Sequence, residues 1–238
     1  MNFNQYQQPT TNDAFSNQVS SSTVANFIAK VYGWMFLGLL TTAVMAFVTA
    51  TTPAIHQFVF SSKLTLYGVI ILQLVIVGFL VVRINKMSAT VATLTFFGYA
   101  ALNGVVLSSL LYMFPIGTLA GVFGITAGTF AIMSAIGYYT KTDLTSFGKL
   151  MMMGLIGIII ASVVNWFMAS EMLYWIISYV GVAVFVGLIA YDTQKIKSYA
   201  YIPDAEMRKK GAIMGALSLY LDFINLFIML LRIFGNRN

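Results

Sequence analysis

Seven long apolar runs separated by short polar stretches account for nearly all of the chain beyond residue 22. They lie near 25–50, 64–82, 90–113, 118–139, 150–169, 173–193 and 212–233. Each approaches or exceeds the roughly 20 predominantly apolar residues that cross a bilayer as a helix. Strand-like alternation is absent, and a segment in lipid must satisfy its own backbone groups, so each run reads as a helix. The expected fold is an all-α polytopic membrane protein with seven transmembrane helices in one domain over residues 23–235. Pro53 and Pro115 mark two of the turns, and Pro203 lies in the longest. Residues 1–22, MNFNQYQQPTTNDAFSNQVSSS, are rich in Asn, Gln, Ser and Thr and contain no basic residue. They read as a disordered polar tail, not as a cleavable signal peptide.

Composition strengthens this reading. The chain is 59% hydrophobic and 8% charged, against about 25% charged residues in soluble domains. Cysteine is absent, which removes disulfides, thiolate metal sites and cysteine nucleophiles. The net charge of +6 raises nucleic acid as a partner, but the distribution of the charge answers it. With the N-terminus in the cytoplasm, Lys30, Arg83, Lys86, Lys141, Lys149, Lys195, Lys197, Arg208, Lys209 and Lys210 fall inside. Only Lys63, Arg232 and Arg237 fall outside. That bias is a topology signal, so the partner of the positive charge is the lipid bilayer and not nucleic acid. It predicts a cytoplasmic N-terminus and a C-terminus on the outer side.

Small residues recur within the spans. Gly117, Gly121, Gly124 and Gly128 mark the fourth, with a GxxxG at Gly124–Gly128, and Gly154, Gly157 and Ala161 mark the fifth. They predict close helix–helix approach. No internal repeat is evident, which argues against a transporter built from inverted halves.

The informative positions are charges inside apolar runs. Asp222 sits in SLYLDFINLFIMLLRIFG, in the middle of the last span. Stepping by three and four gives one face of Gly211, Gly215, Ser218, Asp222, Asn225, Met229 and Arg232. A stripe that polar faces protein or water, which makes the last helix central or cavity-lining. An aspartate at a helix centre costs about 2.5–3.5 kcal/mol on insertion scales, so either a structural hydrogen bond or a functional role must repay it. Asp192, in FVGLIAYDTQKIK, has a plainer alternative as an interfacial residue paired with Lys195 three positions on. If the two carboxylates meet in a poorly solvated site they cannot both ionise cheaply, and a proton is shared. Arg83 ends the second helix on the same side, either to read that state or simply to snorkel to the interface. The two aspartates reach one level only if helix six continues past Lys197 or helix seven starts deeper than Lys210.

Three stretches carry a family resemblance: YYTKTDLTSFGKL (138–150), VGLIAYDTQKIK (186–197) and GALSLYLDFINLFIMLLRIFG (215–235). With these the chain resembles the Bax inhibitor family of membrane proteins, in its bacterial branch, from about Ala25 to Gly235. The resemblance implies seven helices with the C-terminal one enclosed by the other six. It also implies a pH-sensing aspartate pair near the cytoplasmic side, at Asp192 and Asp222, with Arg83 at the position of an arginine that binds the pair. Some relatives carry an acidic residue inside the second helix, where this chain has Gln73.

Three function classes compete. The first is a pH-sensitive calcium leak gated by Asp192, Asp222 and Arg83, with Ser218 and Asn225 along the path and calcium as transported ion, not resident cofactor. The second is a non-conducting regulator of stress survival or of a membrane protease, which the resemblance also implies. The third is an enzyme, and little supports it. An intramembrane aspartyl protease would place Gly-x-Gly before its second aspartate, but Leu219-Tyr220-Leu221 precede Asp222. His56, the lone histidine, follows Pro53 in an outer loop and reads as solvated. Asn103 and Asn165 read first as packing residues, with interhelical hydrogen bonds or a place along a path as alternatives, and DAEMRKK (204–210) as a solvated helix-like loop. The bacterial branch and the inside-positive bias together predict an inner membrane.

Overall fold

In the computed structural model, which describes residues 21–235, nine helices run in chain order. They are α1 (Ser21–Thr51), α2 (Pro53–Phe60), α3 (Lys63–Arg83), α4 (Ala89–Leu107), α5 (Leu110–Met113), α6 (Ile116–Tyr139), α7 (Thr145–Met168), α8 (Glu171–Tyr199) and α9 (Ala205–Phe234). Seven spans are long and apolar enough to cross a bilayer, α4 and α5 together forming one of them. The chain is an all-α polytopic membrane protein. Residues 1–20 of the expected polar tail lie outside the described residues, and Ser21 and Ser22 already belong to α1.

The helix boundaries follow local chemistry. Ser62, Ser88, Ser170 and Asp204 each cap a helix start by accepting from a backbone N–H two or three residues on. Pro53 opens α2, where its missing N–H costs nothing. The third span is one apolar run in sequence, but it breaks at Ser108 and Ser109. Their hydroxyls donate back to the carbonyls of Val105 and Val106, at 2.6 and 3.0 Å, and compete with the helical ladder.

The last helix is the most buried of the seven and packs against α1, α4, α6 and α8. The central position expected for it holds, but its enclosure is made mainly by those four. α3 and α7 stand on the periphery, packed on α4 and α8. Tyr220 is fully buried at the middle of α9 and ties three helices together. Asn103 donates to its hydroxyl at 2.7 Å, Tyr220 donates to Thr42 at 2.7 Å, and Thr42 donates to the Ala100 carbonyl at 2.9 Å. In that order each hydroxyl gives one hydrogen bond and receives one. Phe96 and Tyr99 pack edge-on against the same ring.

The close helix contacts do not fall where the GxxxG predicts. A Cβ at Gly117, Gly121, Gly124, Gly128 or Gly157 would meet nothing, because these glycines point away from the bundle. The tight approaches are at Gly104 against the Thr42 backbone, Gly137 against the Ala190 backbone and Gly148 against the Tyr191 ring. Gly154 does fit the expectation, since its missing Cβ makes room for Val184. Spacing identifies a small-residue stripe but not which way the helix turns it.

Candidate functional site

α8 and α9 form a long antiparallel hairpin closed by residues 200–204. Both continue beyond the apolar runs seen in sequence, α8 to Tyr199 and α9 back to Ala205. The polar YDTQKIK and AEMRKK stretches are therefore helical, and DAEMRKK is the capped first turns of α9, not a loop. Helix six does extend past Lys197, and Asp192 on α8 and Asp222 on α9 border the same cleft.

Asp192 and Asp222 line one cleft of about 510 Å3. Its walls are α7 and α9 and its floor is α8, with Ser162, Ser218, Asn225 and Met229 among its lining. The open side is rimmed by exposed apolar residues of α7, Met152, Ile159 and Val163. Asp222 is only 5% exposed, and its Oδ2 has no hydrogen-bond partner. A buried carboxyl oxygen left unpaired is rare enough to call for a reason. The Ser218 hydroxyl, one turn before Asp222, lies beside Asp192 in the cleft, and the two carboxyl groups are close enough to act on each other electrostatically. The Asn225 amide, also on the cleft, donates back to the Leu221 carbonyl at 2.8 Å.

The cation beside the pair is Lys195, whose charge acts on Asp192 and whose ammonium lies 5.8 Å from the Tyr191 ring centre. Arg83 is exposed at the end of α3, and among the described residues no hydrogen bond or ion pair joins it to either aspartate. The reason is architectural, because α3 packs on α4 at the periphery while the cleft is built by α7, α8 and α9. Gln73 sits on the same peripheral helix, its Oε1 buried without a partner. No cluster of three His, Asp or Glu side chains gathers among the described residues. Calcium takes six to eight oxygen ligands, and the cleft offers two carboxylates with a few hydroxyl and amide oxygens.

The residues around Asp192 anchor the turns on its side of the bundle. Gln194 accepts from the Leu144 N–H and donates to the Thr142 carbonyl, both at 2.8 Å, gripping the 140–144 turn. In that turn the Thr145 hydroxyl and N–H hold the Asp143 carboxyl below the usual carboxylate range. Lys197 donates to the Tyr138 carbonyl at 2.6 Å, a cation at the C-terminal end of α6. Thr193 meets Ser134 of α6 at 3.4 Å. On α9, Glu206 accepts from the Ala89 N–H at the start of α4, at 2.7 Å. One turn later Lys210 donates to the Asn85 carbonyl after α3, at 3.3 Å. Sequence reasoning missed these roles, although four polar residues of five in TQKIK were a signal that the stretch holds several partners.

Asn103 bonds between helices, the alternative to the packing role favoured for it, whereas Asn165 accepts from the Ser170 N–H and finishes the end of α7. His56 is half-buried and stacked between Phe60 and Tyr112, at 4.8 and 4.5 Å between ring centres. It is not the solvated loop residue expected, because α2 folds it back against α5.

A seven-span α-helical membrane protein with two carboxyl groups in a cleft along a central last helix is what the fold and site define. Residues 24–238 match the family described as inhibitor of apoptosis-promoting Bax1, and the chain belongs to that family, the Bax inhibitor family of its sequence motifs. It is 49% identical over 214 residues to the inner membrane protein YbhL of Escherichia coli K12, covering 89% of this chain and 92% of that one. It is 42% identical over 224 residues to the Rickettsia prowazekii protein RP147, covering 93% and 94% of the two chains. A Streptococcus pyogenes serotype M3 membrane protein, SpyM3_0260, is 36% identical over 214 residues, covering 89% and 93%.

Proposed function

We propose that this protein is a pH-sensitive cation leak, with calcium as its ion, worked by Asp192 and Asp222. The observation that carries the reading is the pair itself, two carboxyl groups on one cleft with the Asp222 Oδ2 buried and unpaired. A carboxyl group held without its full complement of donors responds to a proton by changing partners, and that change biases an open–closed equilibrium. Ser218 and Lys195 are the groups that exchange with Asp192, while Tyr191 and Tyr199 flank Lys195 on the same helix. Arg83 keeps in this reading the counter-charge role that the family resemblance implies. Lysine and arginine cluster at the ends where α3, α6 and α8 finish, which supports a cytoplasmic N-terminus and an outer C-terminus. The name of the Escherichia coli relative, an inner membrane protein, supports an inner membrane here.

Purified protein in vesicles loaded with a calcium dye tests the reading. Flux is expected to vary with pH, and Asp192→Asn or Asp222→Asn is expected to flatten that dependence. A pH-dependent leak identical in both variants removes the mechanism, and no flux at any pH removes the function.

The second reading is a non-conducting regulator of stress survival or of a membrane protease. The open side of the cleft favours it, since a partner's helix could cover Met152, Ile159 and Val163. Copurification of a stoichiometric partner from native membrane, together with absence of flux, would select it.

A further inference from the structure

The polar face of α9 does not end with the aspartate cleft. Ser218, Asp222, Asn225 and Met229 line that cleft, and Arg232, one step further on the same face, lines a second hollow of about 630 Å3. This bowl opens at the far end of α7, α8 and α9, among Asn165, Ser170, Glu171, Tyr174 and Trp175. Between cleft and bowl stands Met229, 7% exposed. Two features hold it there. Gly181 of α8 leaves room for it, since a Cβ at that position would lie 2.9 Å from both the Met229 Cγ and Sδ. From the bowl side the Arg232 guanidinium points an N–H at the Met229 sulfur, at 4.0 Å, while stacking 5.3 Å above the Tyr174 ring.

We propose that Met229 is the barrier that separates the aspartate cleft from the bowl, seated by Gly181 and tethered by Arg232. An unbranched thioether closes a narrow passage without offering a strong ligand, and an apolar constriction blocks water and ions together. The apolar rim on α7 faces hydrocarbon, so a hydrated ion in the cleft has no sideways exit. Among the described residues, Met229 is the cleft-lining side chain that meets Arg232 of the bowl. The inference rests on the leak reading for its purpose, but the geometry is tested without any flux.

The natural chain contains no cysteine, so Asn225→Cys is a single reporter inside the cleft. A charged, membrane-impermeant methanethiosulfonate is applied from the side of the α9 C-terminal end, in sealed vesicles of defined orientation. With Met229 present, labelling is expected to be slow; with Met229→Ala added, at least tenfold faster; with Met229→Leu, which restores the bulk, slow again. Fast labelling with Met229 intact overturns the barrier, as does slow labelling in the alanine variant. If the alanine variant fails to fold, Met229→Val carries the same expectation at about threefold. Calcium flux in the same vesicles separates the two claims. Faster labelling without flux keeps the barrier and ends the leak reading, whereas flux that rises with unchanged labelling keeps the leak and ends the barrier.

Discussion

Tyr220 and Asp222 are two residues apart on α9, and the molecule treats their oxygens in opposite ways. The Tyr220 hydroxyl is satisfied on both sides, by Asn103 and Thr42, while the Asp222 Oδ2 is left alone. The first arrangement is structural. Tyr220→Phe keeps the ring contacts with Phe96 and Tyr99 but strands an Asn103 N–H and the Thr42 oxygen. Hydrogen bonds between membrane helices average about 0.6 kcal/mol and reach about 1.7 kcal/mol. The variant is therefore expected to lose about 1 kcal/mol, read as a lowered melting temperature in detergent, with any pH dependence of flux unchanged. An unaltered melting temperature would mean that the three-helix relay carries no stability. The unpaired aspartate oxygen costs free energy in the state seen here, and a group in that condition is where a proton or an ion has most effect.

Among the elements, glycine shows what the chain's spacing does and does not dictate. Gly137 lies where α6 touches the Ala190 backbone of α8, whereas Gly124 faces outward. A methyl group forced between backbones costs typically 1–3 kcal/mol, and one added to an open helix surface changes stability by less than about 0.5 kcal/mol. Gly137→Ala is thus expected to lower the melting temperature clearly and Gly124→Ala hardly at all. Equal effects would show that the helix is rotated from the orientation described. The seven spans were legible in sequence because twenty apolar residues in a row have few other fates. The facing of α6 was not legible, since an apolar helix in lipid has no polar side to betray its inner face. The stripe on α9 was readable for the opposite reason, as Ser218, Asp222 and Asn225 are polar among Leu, Ile and Phe. The far ends of α8 and α9 were missed because hydropathy marks the membrane's thickness, not the helix's length. Their polar turns bind the backbone ends of α3, α4, α6 and α7 through Lys210, Glu206, Lys197 and Gln194.

For the molecule as a whole, the arrangement is a central helix seen from two sides. One side of α9 is locked to α1 and α4 through Tyr220; the other borders a cleft walled by α7, which packs mainly on α8. That asymmetry leaves α7 packed chiefly on α8, and Arg83, on peripheral α3, stands away from the pair. Family motifs in the sequence pointed to Asp192 and Asp222 together; distance along the chain alone could not, because their meeting depends on two helix ends that hydropathy does not reveal. Whether these carboxyl groups behave as one unit is read most directly by infrared spectroscopy of aspartate-labelled protein in lipid, titrated in the wild type and in Asp222→Asn. A coupled pair shifts the Asp192 protonation midpoint when Asp222 loses its charge. An Asp192 midpoint and band shape unchanged by the substitution would leave two independent acids and contradict a shared proton.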